Sequence, residues 1–255
     1  MRPARFTAAT AFLVTLLAAS SSAFLPAQQL QSAPAEGTQV RGGQLDGPPD
    51  SVRFSFERPG LQVPRYHLDI MENGLGSYMG EELTVSVGPA DSPPSPQIFA
   101  MNGFHVSAAT AAKVFTLARS LNHFNIACAS TARNVADTGK KTLDYIGANA
   151  PLGSCSYNYT ENKDVAALTD IFQGIAATLD EGRKLDYLHR FDRLGLDAEM
   201  ESFTREVSDG HAIELQTIAS TLSSIADDAG VMQRVRTRAN ALLTLVPAQT
   251  QSVPR

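Results

Sequence analysis

Residues 134–179 read NVADTGKKTLDYIGANAPLGSCSYNYTENKDVAALTDIFQGIAATL, and the fold class follows from this stretch. Residues 135–146 have strand character, 147–153 form a Gly/Pro-rich turn, and 155–159 form a second strand. A period of two places Cys155, Tyr157 and Tyr159 on one face of that strand and Ser156 and Asn158 on the other. Thr160 or Asn162 then caps a helix. Its stripe Val165, Leu168, Phe172, Ile175 and Leu179 keeps heptad spacing through two repeats, the most regular apolar pattern in the chain. A hairpin with a helix laid over it is an α+β unit.

Upstream, Val52, Phe54 and Phe56 alternate on one strand face, and Pro59, Gly60 and Pro64 force a loop. Tyr66, Leu68 and Ile70 alternate again and lead into Asn73-Gly74, the strongest short hairpin signal, because both central residues of that turn require positive φ. The return strand is 76–79, with 83–87 extending it or forming another. Residues 88–97 carry Pro89, Pro93, Pro94 and Pro96, which excludes a central strand or a helix interior. A short strand at 104–106 precedes Ser107, which caps a helix with Ala111, Val114, Phe115, Ala118 and Leu121 inward.

From Asp180 onward there is no strand signal. Leu185, Leu188 and Phe191 make a helix ended by Gly195, and Met200, Phe203 and Val207 make a second. Leu215, Ile218, Leu222 and Ile225 make a third, and Val231, Val235, Leu242 and Val246 a fourth stopped by Pro247. Arg234, Arg236 and Arg238 lie on the outer side of the fourth. The predicted fold is therefore α+β: a small antiparallel sheet with hairpins packed by two amphipathic helices, followed by a C-terminal segment of three or four helices.

Residues 1–23 read as a cleavable secretory signal, with Arg2 and Arg5 before the apolar run 6–19 and Ser21-Ser22-Ala23 as the small-residue cleavage site. Residues 24–50 read as a flexible linker, 51–180 as the α+β module, 181–247 as the helical segment, and 248–255 as a disordered tail. Gly182 is the only break between module and helical segment, and a single Gly costs a helix only about 1 kcal/mol, so one continuous domain is the alternative. The expected location is secreted or periplasmic, with no membrane span after signal removal.

The 255-residue chain is 43% hydrophobic, enough for a sizeable core, and carries a net charge of −5. Loss of Arg2 and Arg5 takes −5 to −7. An acidic chain without a long basic run is a poor nucleic-acid binder, because that affinity comes from Lys and Arg on phosphates. Two cysteines in an exported chain, Cys128 and Cys155, point to one disulfide, worth about 3 kcal/mol for a loop of this size. The histidines show no paired spacing for zinc, so neither a metal nor a cofactor is expected.

Candidate chemistry is sparse. The run 137–142, DTGKKT, lacks the leading Gly of a phosphate loop, since position 134 is Asn134, and Lys141 separates the Gly139-Lys140 pair from Thr142, so it reads as a polar turn. Ser77 has Leu75 and Met79 where a nucleophile elbow needs glycines. His67 and Asp69 share a strand face as a possible base and partner, without an assignable nucleophile. Glu81-Glu82 and Asp227-Asp228 are adjacent rather than facing. His189, Arg190, Asp192 and Arg193 crowd one and a half turns and form a candidate interaction patch; Asp192 can pair with Lys184 or His189. Asn158-Tyr159-Thr160 matches a glycosylation sequon that matters only on a eukaryotic secretory route.

The order strand, hairpin, Pro-rich loop, helix, hairpin, helix resembles that of small proteinaceous protease inhibitors of the emfourin type. The resemblance is one of element order without a shared motif, so no residue role is carried over. No assembled catalytic set stands out, and the expected function is a non-catalytic module in the cell envelope that binds a protein or a small ligand. The alternatives are a secreted hydrolase with an unrecognised site and a module of protease-inhibitor-like or chaperone-like type.

Overall fold

A computed structural model describes residues 49–84, 95–147 and 151–246. The stretch 1–23 read from the sequence as a signal, nearly all of 24–50 read as a linker, and the stretch 248–255 read as a tail lie outside these residues, as does most of the Pro-rich stretch 88–97.

Among the described residues, six strands form one antiparallel sheet in the order β4-β3-β2-β1-β5-β6. They are β1 Ser51–Glu57, β2 Arg65–Met71, β3 Leu75–Thr84, β4 Ser95–His105, β5 Lys140–Ile146 and β6 Pro151–Tyr157. Five helices accompany them: α1 Ala108–Ser120, α2 Lys163–Phe191, α3 Gly195–Ser208, α4 Ala219–Asp227 and α5 Gln233–Leu245. The α+β architecture, with helices gathered toward the C-terminus, is as the sequence predicts.

Alternation builds the sheet core. Val52, Phe54, Leu68, Ile70, Tyr78, Leu143 and Tyr145 are all buried on one face. Two helices cover that face. Phe172 of α2 stacks on Phe54 at 5.4 Å between ring centroids, and Phe115 of α1 meets Tyr145 edge-on at 5.9 Å. Ser107 caps α1 by accepting from the Thr110 amide, and Asn162 caps α2 by accepting from the amides of Asp164 and Val165.

Several expectations are corrected. The hairpin at Asn73-Gly74 has positive φ only at Gly74, with the Gly74 amide donating to Met71 O, so the turn continues from a 71–74 bend rather than using two left-handed residues. β4 starts at Ser95, inside the Pro-rich stretch. Pro96 is tolerated because β4 is an edge strand. β5 starts at Lys140, so 135–139 is loop, and β6 ends at Tyr157, which leaves Tyr159 47% exposed rather than in the core.

The helix expected to end near Leu179 runs on to Phe191, straight through Gly182. Gly182 packs there against Ile218: an added Cβ would sit 2.3 Å from Ile218 Cγ2. A close approach, not a hinge, requires the glycine. Gly195 opens α3 instead of closing a helix, and Leu215–Ile218 is a 3-10 turn leading into α4. Arg234 and Arg238 reach Asp197, and Arg238 also Glu201, tying α5 to α3. Buried residues of the sheet and of all five helices belong to one hydrophobic core.

Candidate functional site

Cys128 and Cys155, the one pair of chemistry-bearing residues the sequence joins, form a disulfide with Cα atoms 5.8 Å apart. Together with Asn125, whose Nδ2 donates to Leu152 O, the bond fastens residues 122–130 along β6. Its role is structural.

The other sequence candidates are found in structural ties. Asp69 accepts from Arg53 Nε at 2.8 Å and Nη2 at 3.3 Å. His67 stands opposite Ser55 on the solvent face, and among the described residues no hydrogen bond joins it to Ser55 or Asp69. Lys141 of the DTGKKT run is buried: its Nζ donates to Thr138 O, Thr138 Oγ1, Gly139 O and Asn158 O. The turn thus closes on its own lysine, whose pKa burial lowers. His189 Nε2 and Arg193 Nη2 both lie 2.9 Å from Asp228 Oδ2, and Asp192 Oδ1 accepts from the Gly195 amide. Arg190 pairs with Asp186.

The residues 187–194 nevertheless carry an exposed apolar ridge. Tyr187 is 61% exposed, Phe191 73% and Leu194 85%, and the two rings lie 5.2 Å apart. Spacing of four along α2 puts Tyr187 and Phe191 on one side. Aromatic and arginine side chains together are what protein-binding surfaces favour over ordinary surface.

Tyr187 also borders a cleft of about 930 Å³ between α2 and the sheet. That volume is at the upper end of small-ligand sites. Strand alternation lines up four rings beneath α2: Phe56, Tyr66, Tyr78 and Phe99, one each from β1 to β4, follow one another at 5.2, 5.5 and 5.3 Å, and the first two of them line the cleft. Gly80, between Tyr66 and Phe99 in register, leaves room for the Phe99 ring, since a Cβ there would lie 2.5 Å from Phe99 Cζ. The wall of the cleft is the α2 row Gln173, Ala176, Ala177, Asp180, Arg183 and Tyr187.

The polar centre is built where the rings and the wall meet. Tyr78 OH donates to Asp180 Oδ2 at 2.9 Å, and Arg183 Nη1 to Asp180 Oδ1 at 3.2 Å. Arg183 Nη2 also reaches Glu82, and the guanidinium carbon sits 3.5 Å above the Phe99 ring centroid. Gln62 Nε2 fixes the other Glu82 oxygen at 2.7 Å.

Burial raises the Asp180 carboxyl to about 6, against the opposing pull of the Tyr78 hydroxyl and the Arg183 charge. Burial, and then the neighbouring Glu199 carboxyl, raises Glu181 to about 7. One Glu181 oxygen, Oε2, is buried without a hydrogen-bond partner among the described residues. Burial also pushes the Tyr78 and Tyr66 hydroxyls well above the usual range. Four carboxylates (Glu82, Asp180, Glu181, Asp186) line the cleft against two cations (Arg183, Lys184).

Sequence reading passes over Asp180, Arg183 and Tyr78, and considers Glu82 only as the neighbour of Glu81. A signal was present: Gln173, Ala176, Asp180, Arg183 and Tyr187 continue one row at spacings of three and four, visible once the helix is carried past Leu179. Among the described residues no group of His, Cys, Asp and Glu has metal-binding geometry. No helix among them is long and apolar enough to cross a membrane. Compared with known protein families, curated proteins and solved structures, the chain matches none.

Proposed function

We propose that the protein is a binding module whose cleft receives a basic side chain of a partner polypeptide, while the flanking segment lies on Tyr187, Phe191 and Leu194. One observation carries this reading: a roomy cleft with aromatic side chains and excess carboxylate in its lining opens beside three exposed apolar side chains at the α2–α3 junction. Aromatic side chains accept an alkyl stem, and half-buried carboxylates attract the charged head more strongly than exposed ones do. The disulfide, together with the secretory reading of residues 1–23, supports action outside the reducing cytoplasm.

Short unstructured peptides differing only in a central Lys, Arg, Glu or norleucine test the reading by fluorescence anisotropy. Lys and Arg peptides bind, Glu and norleucine peptides do not, and Phe191→Ala weakens binding about tenfold, as for a modest hot spot. Equal binding of all four peptides, or of none, contradicts it.

The raised carboxyls of Asp180 and Glu181 favour a second reading, a secreted hydrolase using Asp180 as its acid. Turnover in a broad hydrolase screen that disappears in Asp180→Asn supports that alternative, and silence across the screen counts against it.

A further inference from the structure

The two edges of the sheet are treated differently. The outer side of β6 is covered by residues 122–130, held by the Cys128–Cys155 bond, the Asn125 contact to Leu152 O and the Ser130 amide on Tyr159 O. β4, the other edge, has no strand beside it among the described residues. Natural edges are blunted by charges, proline, bulges or a covering segment, because unpaired peptide groups recruit another strand. From Ser95 to Phe104 there is no Asp, Glu, Lys or Arg, and Pro96 and the bulge opposite Gly76/Ser77 touch only the ends. Residues 97–102 remain regular and open, with Ile98 74% exposed.

We infer that β4 pairs antiparallel with β4 of a second copy of this chain about a twofold axis at Ala100. The charge pattern selects this occupant. The whole chain is acidic, yet this strand is charge-free, so two copies meet here with no like charges opposite. The apolar pattern is also self-complementary about Ala100. On the inner face Phe99 falls beside Met101 of the second copy, and Met101 beside its Phe99; both are only partly buried in the single chain. On the outer face exposed Ala100 meets its own copy with its small side chain, next to exposed Ile98 and Met79. Two six-stranded sheets then become one continuous sheet, an isologous dimer.

Analytical ultracentrifugation of the purified full chain, with Ala100→Lys and Ala100→Cys prepared identically, tests this. Both variants keep residues 1–48, so any self-association through that segment is common to all three. The wild type sediments as a two-chain species, Ala100→Lys as a single chain, because two ammonium groups are forced opposite each other at a solvent-facing position. Ala100→Cys gives a covalent two-chain band on a non-reducing gel. A wild type that stays single-chain at every accessible concentration overturns the inference, as does a two-chain species that Ala100→Lys leaves intact. A single-chain protein whose β4 amides become protected only on adding an extended peptide also overturns it and assigns the edge to a foreign strand.

Discussion

Asp180 and Glu181 are neighbours in sequence with different surroundings, and both have raised pKa values because burial penalises the charged form. With the folded pKa above the unfolded one, the native state holds more protons between about pH 4 and 7. These groups therefore favour the fold at low pH, and their contribution is lost as pH rises through about 6 and 7. Glu181→Gln is accordingly expected to raise the thermal midpoint at pH 8 by about 2–4 °C, corresponding to ~1 kcal/mol, and to leave it unchanged at pH 5. Differential scanning calorimetry at the two pH values checks this; an equal shift at both contradicts it. Gly80→Ala is the complementary residue-level change. Its methyl meets the Phe99 ring, and denaturant unfolding is expected to show a loss of about 1–3 kcal/mol. Little of this was visible in the sequence: a carboxylate's burial depends on which strand lies beneath its helix, and Tyr78 is 102 residues away from Asp180.

Elements were more legible than contacts. The strands Ser51–Glu57 and Arg65–Met71, the Ser107 cap and the stripe from Val165 to Leu179 are carried by local periodicity and capping chemistry, and they form as read. The sequence predicts only the end of β4, because four prolines dominate its approach, although Ile98, Ala100 and Asn102 alternate with Phe99, Met101 and Phe104 across a bulge. The sequence predicts a shorter α2 because Gly182 has the character of a break. Intrinsic propensity says Gly182→Ala strengthens α2 by about 1 kcal/mol, whereas its Cβ would lie 2.3 Å from Ile218 Cγ2. The contact is expected to dominate, with net destabilisation of about 1–2 kcal/mol by urea unfolding. Reduction of the Cys128–Cys155 bond is expected to cost about 3 kcal/mol, measured as the difference in unfolding free energy with and without reductant. No change on reduction contradicts the picture of 122–130 as a fastened edge cover.

At the scale of the whole molecule, one core joins the sheet to all five helices, and the long α2 does most of the joining. Its first half covers the sheet. Its second half supplies the wall of the cleft on one side and, on the other, receives Glu199, Ile218 and Asp228 from the C-terminal part through Lys184, Gly182 and His189. The cleft therefore depends on the C-terminal helices even though none of them lines it. The candidate patch 189–193 was found from sequence as a crowding of ionisable groups. In the structure those charges pair internally or with Asp186 and Asp228, and the exposed surface at that place is Tyr187, Phe191 and Leu194. Charges are conspicuous in sequence, whereas an apolar residue that fails to find a core is recognised only in three dimensions.

The proposed function requires Asp180 and its neighbours to hold a cationic, apolar-stemmed group in this cleft. Isothermal titration of a Lys-centred peptide with acetylated and amidated termini into the full chain at pH 8 and pH 5 checks this, because the charge of such a peptide is constant over that range. Affinity is expected to be at least about tenfold weaker at pH 5, where Asp180 and Glu181 are protonated, with a smaller pH dependence in Asp180→Asn, where Glu181 alone of the two still titrates. Binding that is equally tight at both pH values, or unaltered by Asp180→Asn, contradicts it.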